Sequence, residues 1–247
     1  MKKLALNKQT KNNLITYIIV QILIAAGALS YHLQGMLVSV CTYIIMAISL
    51  NLTVGILGEL SLGHAGFMCV GAFLGAIFSI SMKDVITFSP LRFLLALIIG
   101  AVSAGIIGFL IGMPVLRLKG DYLAIVTLAF GEIIKNLFNI LFLGVDENGV
   151  HMSTKDTISL GLSDSGTVIV KGAQGVTGMP QDANFTIGAI LILLTLFIVL
   201  HLIQSRDGRA IMSIRDNQIA AESVGIHVSK YKLMAFTISA ALAGMAG

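Results

Sequence analysis

Residues 205–232 read SRDGRAIMSIRDNQIAAESVGIHVSKYK and form a polar island in a strongly apolar chain. The island contains five basic residues, three acidic residues and His227. Residues 185–203 before it and residues 233–247 after it are strongly apolar. A charged stretch between two apolar segments predicts a loop that joins two membrane helices at the bilayer surface.

The middle of the polar island predicts a short helix over residues 216–224. Ala220 and Ala221 would give that helix a small, smooth surface, and Gly225 follows it where a glycine C-cap is expected. A short helix with a face of small residues and charged residues on either side is suited to binding in a groove of a soluble partner. An ordinary basic loop that only fixes the orientation of the chain is the alternative that this pattern leaves open.

The composition excludes a water-soluble globular protein. Of the 247 residues, 56% are hydrophobic and only 11% are charged, whereas about a quarter of an ordinary soluble domain is charged. The sequence therefore predicts an all-α polytopic membrane protein with one transmembrane domain over residues 1–247. The net charge of +4 indicates membrane orientation rather than nucleic-acid binding. Cys41 and Cys69 lie in apolar segments and predict buried thiols, not a disulfide framework or a metal site.

Seven apolar runs predict six complete membrane helices and the start of a seventh. They cover residues 14–29, 33–57, 68–80, 91–113, 122–143, 185–203 and 233–247. Eleven of the 16 basic residues fall in the N-terminal tail, in residues 117–119 and in the polar island, which predicts a cytoplasmic N-terminus and a cytoplasmic loop at residues 205–232. The seventh run is 15 residues long, whereas a helix needs about 20 residues to cross a bilayer, so we expect the sequence to be incomplete at its C-terminus.

Residues 144–184 form the longest polar region and predict an extracellular loop. The region holds five acidic residues but only two lysines, and loops poor in basic residues are typical of the outer side of the membrane. Within this region, the alternation of apolar and polar side chains in residues 159–170 predicts a small hairpin.

Polar residues interrupt the apolar runs at GELSLGHAGF, residues 58–67, which contains Glu59, Ser61, Gly63 and His64. Irregular backbone at membrane depth is tolerated only where protein or a water-filled cavity surrounds it. The segment is therefore either a broken helix or re-entrant turn that lines a translocation pathway, or a plain cytoplasmic turn. The pattern leaves both open.

Glu132 and Lys135 lie three residues apart in the fifth apolar run. On a helix such residues share a face and can form an ion pair. Charged groups near the middle of a membrane are costly and usually face a cavity or a partner. The two residues are therefore candidates to line the pathway, with a purely structural ion pair as the alternative.

Glycines recur at helical spacing in the third and fourth apolar runs. They are Gly71 and Gly75 in the third run, and Gly100, Gly105, Gly108 and Gly112 in the fourth. Small residues at this spacing allow membrane helices to approach closely, so we expect both helices to pack tightly against their neighbours.

Four blocks of the sequence resemble the inner-membrane permease subunits of branched-chain amino acid ABC importers. They are SLGHAGF at 61–67, LRLKGDYLAIVTLAFGEIIKN at 116–136, GAQGVTGMP at 172–180, and the whole of residues 205–247. The two long blocks are specific, and the resemblance covers almost the whole chain from about residue 51 onward. Compared with the family pattern, we expect a longer loop at residues 144–170 and C-terminal helices beyond the given residues.

The resemblance implies an ABC importer permease fold in a bacterial inner membrane and transport of branched-chain or other small amino acids. The implied partners are ATP-binding ABC subunits, a sister permease subunit, an extracytoplasmic substrate-binding protein and the lipid bilayer. ATP would be used by the partner ATPase, so neither a cofactor nor an enzymatic activity is expected in this chain. The docking motif of the family would fall on Arg215, Ala220, Ala221, Glu222 and Gly225.

Three alternative functions stay open from the sequence. A secondary transporter or channel would need no ATPase and could use Glu59, His64 and Glu132 as a proton relay. A permease of the same family could carry urea or a short amide. A purely structural membrane subunit is less well supported, because packing alone does not require those three titratable residues together with the polar island.

Overall fold

The computed structural model describes residues 31–247 except residues 84, 119, 147–148, 162–165, 177 and 179–182. The predicted first membrane helix, residues 14–29, lies outside the described residues. Four of the described helices are long and apolar enough to cross a membrane: Gly35–Leu57, His64–Ser81, Ser89–Val115 and Phe185–Gln204.

The long helices follow the predicted apolar runs to within five residues, with the largest differences in the earlier starts of the third and seventh and the earlier end of the fifth. Their bounds are α1 Tyr31–Asn51, continued by a π-helical segment Leu52–Leu57, α2 His64–Ser81, α3 Ser89–Val115, α4 Asp121–Asn139, α5 Phe185–Gln204, α6 Arg206–Asp216, α7 Gln218–Ser223 and α8 Val228–Ala246. The number of crossings and the cytoplasmic N-terminus stay predictions.

Helix α8 is the centre of the packing and contacts α1, α2, α3 and α6. Its small residues permit this, since Ala240 and Ala243 are fully buried. The glycines of α3 face it in antiparallel order: a Cβ on Gly108 would lie 2.4 Å from the Cβ of Ala240, and a Cβ on Gly100 would lie 3.2 Å from the carbonyl oxygen of Gly244. The predicted close packing of the fourth apolar run is confirmed.

A small antiparallel sheet follows α4 and corrects the all-α prediction. Its strands are β1 Phe142–Asp146, β2 Gly149–Ser153 and β3 Thr167–Lys171, in the order β2-β1-β3. Leu143, Ile169 and Val170 form a buried cluster that packs against Phe73 and Ile77 of α2. The apolar face of the sheet is thus covered by the end of a membrane helix, which gives this short sheet its core.

The hairpin predicted within residues 159–170 is wrong. Residues Ile158–Leu160 form a single 3-10 turn, and β3 pairs with β1, more than 20 residues earlier in the chain. Alternation of side chains indicates which residues are extended but carries no information about which strand they pair with.

The sheet and the polar island lie at opposite ends of the bundle. Lys232, in the first turns of α8, contacts Glu59 just after the π-helical segment, whereas the other end of α8 meets the middle of α2 at Gly71. Helix α2 continues from there for ten residues to Ser81 and packs against the sheet. Hereafter these are called the island end and the sheet end.

Candidate functional site

The irregular segment, residues 58–63, turns back into the bundle after α1 and its π-helical continuation. Gly58 ends the π-helical segment with a positive φ of 82°. His64, at the start of α2, bonds through its Nε2 to Ser49 Oγ at 2.9 Å. Ser49 lies eight residues before Leu57, about 12 Å back along the helix at 1.5 Å per residue. The irregular segment therefore runs from Glu59 at the island end to His64 beside α1, and the choice between a broken helix that lines a pathway and a plain turn stays a prediction.

Helix α4 holds the other side of the irregular segment. The backbone N–H of Leu62 donates to Thr127 Oγ1 at 3.1 Å, and a Cβ on Gly63 would lie only 1.6 Å from the carbonyl oxygen of Thr127. Ser61 and His64 are buried beside this contact. Gly63 has an ordinary φ of −95°, so glycine is needed there for close approach and not for an unusual backbone conformation.

Glu59 forms an ion pair with α8, and its predicted place in the pathway stays a prediction. Its Oε1 accepts a hydrogen bond from Lys232 Nζ, and the side chains of Glu59 and Lys232 are only 15% and 7% exposed. Lys232 Nζ also donates to Gln218 Oε1 of α7 at 3.3 Å. Sequence reasoning gave Lys232 no role beyond its charge, because no local pattern links residues 173 positions apart.

Glu132 and Lys135 form the predicted ion pair, with 3.2 Å between Lys135 Nζ and Glu132 Oε2. Both side chains are more than half exposed on the outer face of α4. The structure gives Glu59, His64 and Glu132 three different partners, namely Lys232, Ser49 and Lys135. It therefore offers no support for a proton relay that joins the three titratable residues.

The polar island folds into two helices with a sharp break between them. Ser205 Oγ accepts from the N–H of Gly208 at 3.0 Å and caps α6, and Asn217 Oδ1 accepts from the N–H of Ala220 at 3.1 Å and caps α7. The helix predicted over residues 216–224 is thus α7, shorter at both ends, and α6 was not predicted.

Gly225 ends α7 as predicted. Its φ is +87°, its N–H donates to Glu222 O at 3.0 Å, and the N–H of Ile226 donates to Ala221 O at 3.1 Å. This is the hydrogen-bond pattern that a glycine C-cap provides at a helix end.

The expected smooth surface of α7 differs from the observed one. Ala221 is buried in a cluster with Ile214 and Val228 and attaches α7 to its neighbours. The large apolar side chains presented to solvent are those of Ile219 in α7, 80% exposed, and of Val224 directly after α7, 75% exposed. Sequence reasoning missed this pair, although two large apolar residues in a charged loop are a signal of a binding surface.

Arg215 anchors α6 to the end of α1. Its Nη1 donates to the carbonyl oxygen of Gly55 in the π-helical segment at 2.9 Å, and its Nη2 lies 3.1 Å from Asp216 Oδ1. A cation at the C-terminal carbonyls of a helix is stabilising. With Glu59, Gln218, Glu222 and Lys232, Arg215 lines a polar cleft of about 570 Å³ at the island end.

Neither thiol of the chain forms a disulfide, and Cys41 is buried in α1. Among the described residues, no group of three or more His, Cys, Asp and Glu side chains is placed to hold a metal ion.

Comparison with known proteins settles the family. The model of a family described as the permease component of the branched-chain amino acid transport system matches residues 32–247. The chain belongs to this permease family. The permease is 36% identical over 243 residues to the high-affinity branched-chain amino acid transport system permease protein LivM of Escherichia coli K12, which covers 93% of this chain and 55% of the relative.

The LivM protein of Salmonella typhimurium LT2 is 37% identical over 214 residues, 83% of the permease and 49% of the relative. The permease therefore spans about half the length of the curated relatives that it matches. No solved structure matches. Membership confirms the family predicted from the sequence blocks and identifies a multi-pass membrane protein of a transport family, not an enzyme.

Proposed function

We propose that this permease is one membrane-spanning half of an ATP-driven ABC importer, and that it docks a separate ATPase through α7. The observation that carries the proposal is the exposed pair Ile219 and Val224 on a helix braced against the membrane bundle. The island end then faces the cytoplasm of a bacterial cell, as its basic residues favour, and the sheet end faces an extracytoplasmic substrate-binding protein.

The structure of α7 suits docking because its two faces differ. Ala221 is fixed in a buried cluster, whereas Ile219, Ala220 and Val224 are exposed. Burying an Ile or Val side chain is worth about 1.5–3 kcal/mol, so a partner groove that covers both would gain much of the affinity expected of an interface anchor. Glu222 and Gly225 border this surface. Arg215 lies beside it in the polar cleft and bonds to the carbonyl oxygen of Gly55.

Replacing Ile219 with aspartate is expected to weaken ATPase binding about tenfold or more, the effect of losing an interface hot spot. The measurement is the amount of ATPase that co-purifies with the tagged full-length permease when it is co-expressed with the proposed ATPase and sister permease. Ile158→Asp is the matched control, since Ile158 is equally exposed but lies at the sheet end. Equal recovery of ATPase with both variants would contradict docking through α7.

The outer face of α4 is proposed to line the translocation pathway opposite a sister permease. Among the described helices, α4 packs mainly against α2 and leaves Tyr122, Ile125 and Ile133 exposed together with Glu132 and Lys135. Charged side chains that face lipid at membrane depth are costly and are normally found against water or protein. Leu62 and Gly63 contact the opposite side of α4 at Thr127, and Ser61 and His64 are buried on either side of this contact in the chain.

A cysteine at position 133 is expected to react with a membrane-impermeant thiol reagent, because the proposed pathway contains water. Ile190→Cys on α5 is the control, since Ile190 is also exposed but lies on a helix whose exposed residues are almost all apolar. Both would be made in a Cys41→Ala, Cys69→Ala background. Equal protection of the two cysteines from the reagent would place the face of α4 against lipid and contradict the assignment.

The proposed cargo is a branched-chain or other small amino acid, because both relatives are named for branched-chain amino acid transport. Urea or a short amide carried by the same machinery is the alternative cargo. The test is competition for leucine uptake. We expect excess isoleucine or valine to reduce the uptake and excess urea to leave it unchanged, and the reverse result would contradict the amino acid assignment.

A further inference from the structure

Lys232 occupies the point where the docking helix, the central helix and the irregular segment meet. It belongs to α8, yet its Nζ donates both to Gln218 Oε1 of α7 and to Glu59 Oε1 of the irregular segment. An ammonium group has three N–H donors. Two of those of Lys232 are used here, one for Gln218 and one for Glu59, so a single nitrogen atom links α7 to the irregular segment.

The stabilising effect of this ion pair does not explain its presence. The side chains of Lys232 and Glu59 are 7% and 15% exposed, and charges removed from water this far gain little net stability from pairing. Well-packed apolar side chains would often stabilise such a position equally well. A buried charge pair does differ from an apolar contact in that it fixes the relative position of two elements through directional hydrogen bonds.

The irregular segment connects Glu59 to helices α1 and α4 of the bundle. Glu59 stands near its first residue, and five positions later His64 bonds to Ser49 of α1. Between them the N–H of Leu62 bonds to Thr127 of α4. Because this short stretch is held at both ends, a displacement of Glu59 would reach α1 through His64 and α4 through Leu62.

We propose that Lys232 is a positioning residue that couples movement of α7 to the irregular segment, and through it to α1 and α4. The inference rests on the proposed function, since it requires an ATPase that moves α7. A second contact runs from Arg215 to the carbonyl oxygen of Gly55. It attaches α6, the helix before α7, to the π-helical segment at the end of α1. Arg215 also packs against Gly58, where a Cβ would lie 2.5 Å from Arg215 Cγ, whereas the bond from Lys232 holds the side chain of Glu59.

The test uses the full-length permease with its sister permease, ATPase and binding protein in proteoliposomes, and measures leucine uptake per ATP hydrolysed. Gln218→Ala cuts the link between α7 and Lys232 without removing a charge. We expect it to keep its bound ATPase while uptake per ATP falls about tenfold, within the range of coupling between sites. Gln218→Glu retains an acceptor for Lys232 but loses the donor that lies 3.4 Å from Glu222 Oε1, so it is expected to lose less uptake per ATP than Gln218→Ala.

Lys232→Met is expected to show the same loss of coupling, and exchange of the charges in Glu59→Lys, Lys232→Glu is expected to recover part of it. If Lys232→Met does not fold, Gln218→Ala and Gln218→Glu still carry the test. Unchanged uptake per ATP in Gln218→Ala would overturn the inference, as would equal losses in Gln218→Ala and Gln218→Glu. Loss of ATPase from Gln218→Ala alone would overturn it too, whereas a parent protein that binds no ATPase would contradict the proposed function itself.

Discussion

Replacing Gly244 with valine is expected to destabilise the folded permease by about 3 kcal/mol or more, which is the upper range for overpacking a core. A Cβ at Gly244 would lie 2.2 Å from the Cβ of Ala104 and 2.6 Å from the carbonyl oxygen of Gly100. Helix α2 closes the same contact, because a Cβ on Gly71 would lie 2.1 Å from the carbonyl oxygen of Gly244. Three helices therefore meet here with backbone against backbone, and none can yield by a side-chain rotation.

Thermal unfolding of the purified protein in a mild detergent measures this effect. The matched control is Gly35→Val on α1, where a Cβ has no atom of the described residues within 4 Å, and its midpoint should stay near that of the parent. Gly75→Ala should fall between the two, since the nearest atom to its Cβ, the carbonyl oxygen of Ala96, is 3.3 Å away. A midpoint for Gly244→Val within a degree or two of the parent would show that α3 and α8 do not cross as described.

Replacing Gly63 with alanine is expected to detach the irregular segment from α4, although the change adds one methyl group. The new Cβ would lie 1.6 Å from the carbonyl oxygen of Thr127 and 2.4 Å from its carbonyl carbon. The atoms that block it belong to helical backbone, so α4 or the segment must move as a whole. Such a shift also breaks the hydrogen bond from Leu62 to Thr127, and we expect a loss of about 2–4 kcal/mol from overpacking and the lost bond together.

The opposite side of the same contact provides the control. A Cβ on Gly131 would come no closer than 3.3 Å to Gly63, so Gly131→Ala should be tolerated with a small loss of stability. Unfolding midpoints and the yield of monodisperse protein, measured side by side, compare the two. Equal tolerance of both substitutions would contradict the position of the irregular segment against α4.

Patterns within a single helix could be predicted from the sequence. The apolar runs predicted the long helices, and the glycines at helical spacing predicted the close contacts of α3. Both patterns depend on residues a few positions apart. The C-cap at Gly225 followed from the same kind of local rule. The i, i+3 pair of Glu132 and Lys135 belongs to this class as well.

Contacts between distant residues could not be predicted. Glu59 and Lys232 each look like an ordinary charged residue near a membrane end, and only the fold brings them together. The pairing of β3 with β1 failed for the same reason, since alternation does not specify a partner strand. For α7, the composition suggested a smooth alanine face, whereas packing on Ile214 buried Ala221 and turned Ile219 outward.

Leucine uptake into proteoliposomes tests the central claim most directly. The full-length permease would be reconstituted with its sister permease and binding protein, with and without the ATPase, and with ATP or a proton gradient as the energy source. We predict uptake only when ATPase and ATP are both present. Gradient-driven uptake without the ATPase would contradict the account and identify the permease as a self-sufficient carrier.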